Sequence, residues 1–420
     1  ARMVPPAARC QPGTAGPLAA DRTRPGRPLA RRGRRYFGCQ PDLGTMDDFR
    51  HFVAACRDLG MEVALDFAIQ CAPDHPWVSE HPEWFQFRPD GSIKHAENPP
   101  KKYQDIVNVD FHGRAAAAMW RAWAEVALFW VGQGVTIFRV DNPHTKPVPF
   151  WEWLIATVQE RHPEVIFLSE AFTRPKMMRL LAKAGFTQSY TYFTWRNFKE
   201  EITAYMEELA HGESREYFRP NFFPTTPDIL PPYLQTGGRP AFRIRLVLAA
   251  TMSSVYGIYN GYELCENRAL AGKEEYLDSE KYQHKVWDWD RPGHIKDEIA
   301  AINRIRRENP ALHEFENIRF HEADDSNVLF YGKTTLDRSN MVFIAVNLDP
   351  FDTHEAVLRF PLDLMGVPAG DTFEVEELLT GARHLWRGEA HRVRLDPRVN
   401  PSAIYRVTVW SPVDYRSPCF

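Results

Sequence analysis

Between Met61 and Asn309, short β-branched and aromatic runs alternate with longer runs whose apolar residues recur at helical spacing. This alternation limits the fold more than any other feature of the chain. Met61–Phe67, Gly134–Phe138, Val165–Glu170, Phe186–Phe193, Tyr217–Phe223 and Ser254–Tyr259 read as strands, because short apolar stretches bounded by Gly, Pro or polar residues suit a sheet buried on both faces. Helices are predicted over Thr45–Gly60, Ala115–Val131, Trp151–Glu160, Phe198–Leu209, Ala241–Ser253 and His294–Asn309. The first opens on Thr45 and Asp48 in a capping-box pattern and closes at Gly60. Six strand-helix units of this kind predict a parallel sheet covered by helices, with any ligand held above the C-terminal strand ends.

From about Asn317 the texture changes to alternating strands, among them Val328–Gly332, Met341–Asn347, Ala356–Phe360, Thr372–Leu378, His391–Leu395 and Ser402–Trp410. Their turns carry Asp, Asn, Gly and Pro, which predicts an antiparallel β-sandwich. The chain's start differs again. Ala1 to about Gly38 is rich in Arg, Pro and Ala, has Asp21 as its sole acid and contains no lysine; such a stretch buries too little apolar surface to offset its ordering entropy. The expected organisation is therefore a disordered segment over 1–40, a catalytic barrel-like domain over 41–312 and a sandwich over 313–420.

Charge and cysteine usage narrow the function. A formal net charge of −4, with no internal basic stripe, argues against a dedicated nucleic-acid binder. Cys10, Cys39, Cys56, Cys71, Cys265 and Cys419 show no C-x-x-C spacing, which predicts reduced thiols in a cytoplasmic protein and no structural zinc. No apolar run reaches membrane-spanning length. An aromatic content of 13% with 12 Trp suits surfaces that stack on sugars, although core packing uses such residues too.

Chemistry concentrates at two strand ends. Arg139 and Asp141 alternate with Phe138 and Val140 and so share one face, where Asn142 and Pro143 end the strand. A structural ion pair would also read this way. Glu170 ends the next predicted parallel strand, so its carboxyl should face that of Asp141 above the sheet. Two such acids suit glycosidic chemistry, one attacking or stabilising an oxocarbenium-like carbon and the other delivering and recovering a proton. The apolar Ile166-Phe-Leu-Ser before Glu170 is a setting that favours the protonated acid. His75 and His144 stand at no metal-ligand spacing and are expected to hydrogen-bond locally.

These strings resemble the α-amylase superfamily, whose barrel strands end in signature segments: Leu65-Asp66-Phe67, Phe138-Arg-Val-Asp141, Leu168-Ser-Glu170 and, in a departing form, Thr226-Pro-Asp228. The closer resemblance is to the α-1,4-glucan:maltose-1-phosphate maltosyltransferases. It is carried by Ala64-Leu-Asp-Phe-Ala-Ile-Gln-Cys-Ala-Pro-Asp-His-Pro-Trp77, Ala96-Glu-Asn-Pro-Pro-Lys-Lys-Tyr-Gln-Asp105, Phe138-Arg-Val-Asp-Asn-Pro-His-Thr-Lys-Pro147 and Glu274-Glu-Tyr-Leu-Asp-Ser-Glu-Lys-Tyr282. It implies a (β/α)8 TIM barrel of the α-amylase type followed by a C-terminal antiparallel β-sandwich. The first two barrel strands would precede residue 41 and are expected to be missing, which leaves open sheet edges and an uncovered core face. By this resemblance Asp141 is the nucleophile, Glu170 the general acid/base, Asp228 the third carboxylate, and Arg139 the group that keeps Asp141 ionised and aimed. Asn98, Tyr103 and Asn142, with Lys101 beside them, would meet the phosphate; Gln70 stands near the hydrolases' usual Asn-His pair; Lys281 and Tyr282 would grip the maltosyl unit. The implied partners are α-maltose 1-phosphate and an α-1,4-glucan acceptor, with no metal or organic cofactor. The family's homodimer would lack its N-terminal dimerising region here. An amylase-type hydrolase and an inactive glucan-binding fragment stay open as alternatives.

Overall fold

Thr45 caps the first helix, α1 (Met46–Asp58): its hydroxyl accepts from the Asp48 amide while the Asp48 carboxylate accepts from the Thr45 amide. Both orphan donors are thereby satisfied. Gly60, at φ +70°, turns the chain out of the helix. The computed structural model describes residues 36–39, 41–98, 101–279, 285–368 and 370–409. They form two compact units, within Ala1–Ser189 and Tyr190–Phe420.

In the first unit, α1 leads to β1 (Ala64–Phe67), then to α2 (Pro76–Glu80) and an antiparallel hairpin of β2 (His95–Asn98) and β3 (Lys101–Val107). The alternation resumes with α3 (Ala116–Gly132), β4 (Ile137–Asp141), α4 (Val148–Gln159), β5 (Ile166–Glu170), α5 (Pro175–Lys183) and β6 (Gln188–Tyr190). Strands β1, β4, β5 and the start of β6 are parallel neighbours in that order. The period of two along β4 decides which face does what: Phe138 and Val140 are wholly buried, whereas Ile137, Arg139 and Asp141 face the other way and stay part-exposed. Phe138 stacks on Phe167 of β5 and meets Phe67 of β1 edge-on. Trp123 of α3 and Trp151, Leu154 and Val158 of α4 join the same core. Tyr36 and Phe37, at the end of the arginine-rich stretch, pack here as well. Tyr36 lies against His75, Trp77 and Trp123, and its carbonyl accepts from Trp130 Nε1 at 2.9 Å. Residues 1–35 of that stretch lie outside the described residues.

The second unit carries α6 (Lys199–His211), β7 (Pro220–Phe222), α7 (Pro232–Met252), β8 (Val255–Tyr256) and α8 (Lys296–Glu308), with β7 and β8 parallel. Helix α7 starts earlier than its apolar run predicts, because it is two helical pieces joined at Gly238, where φ is 53° and ψ −151°. Two antiparallel sheets follow. One runs β14 (Ala382–Arg387), β13 (Thr372–Glu377), β16 (Ser402–Thr408), β11 (Met341–Asn347), β10 (Val328–Thr334), β9 (Ile318–His321). The other pairs β12 (His354–Arg359) with β15 (Ala390–Leu395), and the short helix α9 (Leu362–Met365) separates β12 from β13. Phe330, Phe343, Phe360 and Phe373 fill the core of this sandwich.

Candidate active site

Asp141 and Glu170 are register partners at the ends of β4 and β5, one step beyond the Val140 and Ser169 pair. Neighbouring strands lie about 4.8 Å apart, so side chains leaving the same face at the same level share one space. One guanidinium ties them together. Arg139 sets Nη1 3.5 Å from Asp141 Oδ1 and Nη2 3.3 Å from Glu170 Oε1, while Nη1 also donates to Asp66 Oδ1 at 2.7 Å. Asp66 is the register partner of Arg139 on β1, so three consecutive strands each contribute a carboxylate around one cation. The Asp66 side chain is 67% exposed and that of Glu170 only 7%. Arg139 is thus shared, where the sequence alone suggested that it serves Asp141. The apolar setting expected for Glu170 is likewise only half the picture: the residue is buried, but it receives a guanidinium and a backbone N–H.

That N–H comes from Asn142, which donates to Glu170 Oε2 at 3.1 Å. Its backbone is left-handed, φ 43° and ψ 54°, a conformation that Asn tolerates better than most residues. The turn aims the amide at Glu170, brings Asn142 Nδ2 to 3.4 Å from Asp141 Oδ1 and lets Pro143 start a short 3-10 turn, Pro143–Thr145. Thr145 Oγ1 donates to the Asn142 carbonyl at 2.7 Å, and Trp151 Nε1 pins the Pro143 carbonyl at 2.9 Å. This is why Asn-Pro shuts down the strand: it converts the strand end into a donor. From the other side Gln70, just past β1, donates Nε2 to Asp141 Oδ2 at 2.6 Å, and its own carbonyl accepts from the Tyr36 hydroxyl. Asp141 thereby has amide donors on both oxygens.

Lys146 belongs to this neighbourhood. Its Nζ donates to Thr145 Oγ1 at 2.9 Å, and burial pushes its ammonium down to about 8 although Asp141 and Glu170 both pull the other way. His144 is lowered by burial, by Lys146 and against the pull of Asp141. The local bond expected of it is missing at Nδ1, a buried atom without a hydrogen-bond partner among the described residues. His75 does bond locally, its Nδ1 capping α2 through the Trp77 amide at 3.1 Å.

The remaining sequence-predicted residues fall into three groups. Asn98 and Lys101 belong to β2 and β3 across the tip of the hairpin, where their backbones are register partners, and half-buried Tyr103 follows on β3. Asp228 lies in the second unit on the loop after β7, its amide donating to Thr226 Oγ1 at 3.3 Å. Lys281 and Tyr282 lie outside the described residues. Sequence reasoning missed Asp66 and Lys146 as contributors. Both stood inside the strings already singled out; what was missing was their register and burial. Among the described residues, no three or more His, Cys, Asp or Glu side chains form a group that could hold a metal.

The fold is that of the α-amylase-type barrels with a C-terminal sandwich. Comparison with solved structures agrees on the fold: the α-amylase of Geobacillus thermoleovorans superposes with a TM-score of 0.71 at 14% identity, covering 90% of this chain and 84% of that one. The maltogenic α-amylase AmyB of Thermotoga neapolitana gives 0.68 at 17% identity, covering 89% and 84%. In sequence the chain is similar to several α-1,4-glucan:maltose-1-phosphate maltosyltransferases. It is 63% identical over 368 residues to that of Rhodospirillum rubrum, covering 88% of this chain and 54% of the relative. It is 57% identical to that of Myxococcus xanthus, covering 87% and 55%. Residues 320–407 match the family model described as GLGE, C-terminal. The chain spans about half the length of these curated relatives.

Proposed function

We propose that the chain is the part of a retaining maltosyltransferase that moves maltosyl units from α-maltose 1-phosphate to the non-reducing end of α-1,4-glucans, with residues 41–312 carrying the chemistry and 313–420 forming the sandwich. The observation that carries the reading is the single guanidinium of Arg139 holding Asp141 and Glu170 on register-paired strand ends. High identity to named maltosyltransferases over most of the chain supports the choice of transfer over hydrolysis.

In the proposed first step, an Asp141 carboxylate oxygen attacks the anomeric carbon while the bond from that carbon to the phosphate oxygen breaks and Glu170 gives its proton to the departing phosphate. In the second step Glu170 takes the proton of the acceptor's 4-hydroxyl, the new C–O bond forms and Asp141 is released. Two inversions retain the α configuration. Gln70 and Asn142 orient Asp141 by donating to its two oxygens, and Asp228 holds the hydroxyls of the reacting sugar. A phosphate dianion needs cationic and neutral donors, which Lys101, Asn98, Tyr103, Asn142 and the part-buried Lys146 provide; Lys281 and Tyr282 grip the maltosyl unit. Free Cys39, Cys56, Cys71 and Cys265 fit a reducing, cytoplasmic setting.

The test is incubation with α-maltose 1-phosphate and a short maltooligosaccharide, reading phosphate and chain length together. Matched phosphate release and chain growth, both lost in Asp141→Ala, support the reading. Shortening of the oligosaccharide without phosphate release would assign the chain to the hydrolases instead.

A further inference from the structure

A second cluster of charge lies in the other unit. The break in α7 at Gly238, the segment after β8 and the Arg291–Gly293 turn before α8 enclose a cavity of about 380 Å³, at the small end of the range for ligand clefts. Its charged lining residues belong to two triads, each with one carboxylate between two guanidinium groups, of which Arg243 and Glu298 stand behind the lining. Glu298 takes Arg239 Nη2 at 2.5 Å and Arg243 Nε at 2.9 Å; Glu266 takes Arg268 Nε at 2.9 Å and Arg291 Nη1 at 3.4 Å. Arg239, Arg268, Arg291 and Glu266 line the cavity itself. Arg239, Arg243 and Arg291 all act on the Cys265 thiol between them, so the triads are near neighbours. Burial pushes that thiol up to about 12, which leaves it neutral.

Three guanidinium groups and one carboxylate thus line the cavity, and with Arg243 and Glu298 behind them the two triads hold four cations against two acids. Further out, Asp278 acts on Arg268 and Lys285 on Glu266, with opposite signs, and the buried Glu263, beside the lining Leu264, has an oxygen that accepts from the Gly261 amide. Several donors are unused. Among the described residues Arg268 donates only through Nε and Arg239 only through Nε and Nη2. The rim is open, since Gly238 and Gly293, both at positive φ, have nothing within 4 Å of where a Cβ would stand.

We infer that this cavity binds a phosphate dianion, as orthophosphate or as the phosphomonoester of a small sugar. A phosphomonoester carries close to two negative charges at neutral pH, which suits the excess of cations over acids in the two triads, and its oxygens accept from forked guanidinium donors. The site is separate from the strand-end carboxylates in sequence and in residues, and the inference does not depend on the maltosyl-transfer reading.

Equilibrium dialysis of the full chain tests it, with radiolabelled orthophosphate at low ionic strength and hexose 6-phosphate or nitrate as competitor. The double variant Arg239→Gln with Arg268→Gln keeps Glu298 on Arg243 and Glu266 on Arg291, so the fold survives while the surplus charge is removed. The expected result is saturable binding that weakens at least about tenfold in the double variant, is kept by Arg268→Lys and is kept by Asn142→Asp at the strand-end site. Stronger displacement by the hexose phosphate than by unlabelled phosphate identifies a sugar ester as the ligand, and equal displacement identifies free phosphate; nitrate does not compete. Binding that is absent, unchanged in the double variant, or lost only in Asn142→Asp overturns the inference.

Discussion

Replacing Arg139 by Met is the most informative single change at the strand-end site. The guanidinium lies 3.5 and 3.3 Å from the carboxylates of Asp141 and Glu170, and its own side chain is 17% exposed. At an effective dielectric of about 20, each contact corresponds to an attraction of about 5 kcal/mol. Desolvation of the ions offsets much of that, and truncating one partner of a part-buried pair costs about 3–5 kcal/mol in practice. The Asp66 contact, with a 67% exposed acid, adds about 0–1 kcal/mol. Without Arg139 neither carboxylate keeps the cation that holds it in place, and the attacking oxygen of Asp141 is no longer aimed. The expected result is a fall in kcat/KM of about 10²–10³, or ~3–4 kcal/mol. Arg139→Lys keeps a point charge but loses the fork that reaches three acids, and should fall between the two. The assay is initial-rate phosphate release from α-maltose 1-phosphate across pH 5 to 9. Wild-type kcat/KM in Arg139→Met would refute the reasoning.

Three further outcomes follow from Lys146, Lys333 and Gly257. Because Lys146 loses its charge as pH rises through about 8, activity should fall on the alkaline side near that pH, and Lys146→Gln should have lower kcat/KM with that limb flattened; an unchanged limb would remove Lys146 from the phosphate-facing set. Lys333, fully buried with its ammonium on the carbonyls of Thr251, Met252 and Glu314, is pushed down by burial from 10.5 to about 7. The folded chain therefore binds fewer protons than the unfolded one between these values, so this residue's contribution to stability improves as pH rises from about 7 to 10.5; between pH 7 and pH 9.5 the denaturant midpoint of the wild type should rise relative to that of Lys333→Met. Gly257→Ala would set a methyl 2.1 Å from the Phe223 ring, and the required shift should destabilise by about 1–3 kcal/mol in urea unfolding.

Much of this was legible in the sequence because period and position carry it. Helix α1 begins at the cap that Thr45 and Asp48 specify, and the alternation through Phe138-Arg-Val-Asp141 assigns Arg139 and Asp141 to one face. The adjoining acid on β5 follows from the same strand-end logic. Elements without a period of their own were not legible: the β2–β3 hairpin is polar, β14 reads Ala-Arg-His-Leu-Trp-Arg with mostly exposed side chains, and β9 is four residues long. Register was equally invisible. Nothing local in Leu65-Asp66-Phe67 says that Asp66 pairs with Arg139 rather than with a neighbour on its own strand, and nothing in Asn142 announces a left-handed backbone that turns its amide onto Glu170. The burial of Lys146 comes from packing around the Pro143 turn, which composition does not report.

The central claim is that Asp141 and Glu170 act on opposite sides of one bond-making carbon. Intact-mass and peptide mapping of the Glu170→Ala chain after exposure to a 2-deoxy-2-fluoro-α-maltosyl fluoride measures this most directly, since the first step would proceed with a good leaving group and the second would stall. The account predicts a single maltosyl adduct on the peptide containing Asp141. An adduct on another carboxylate, or turnover giving a β-configured product with no adduct, would contradict it.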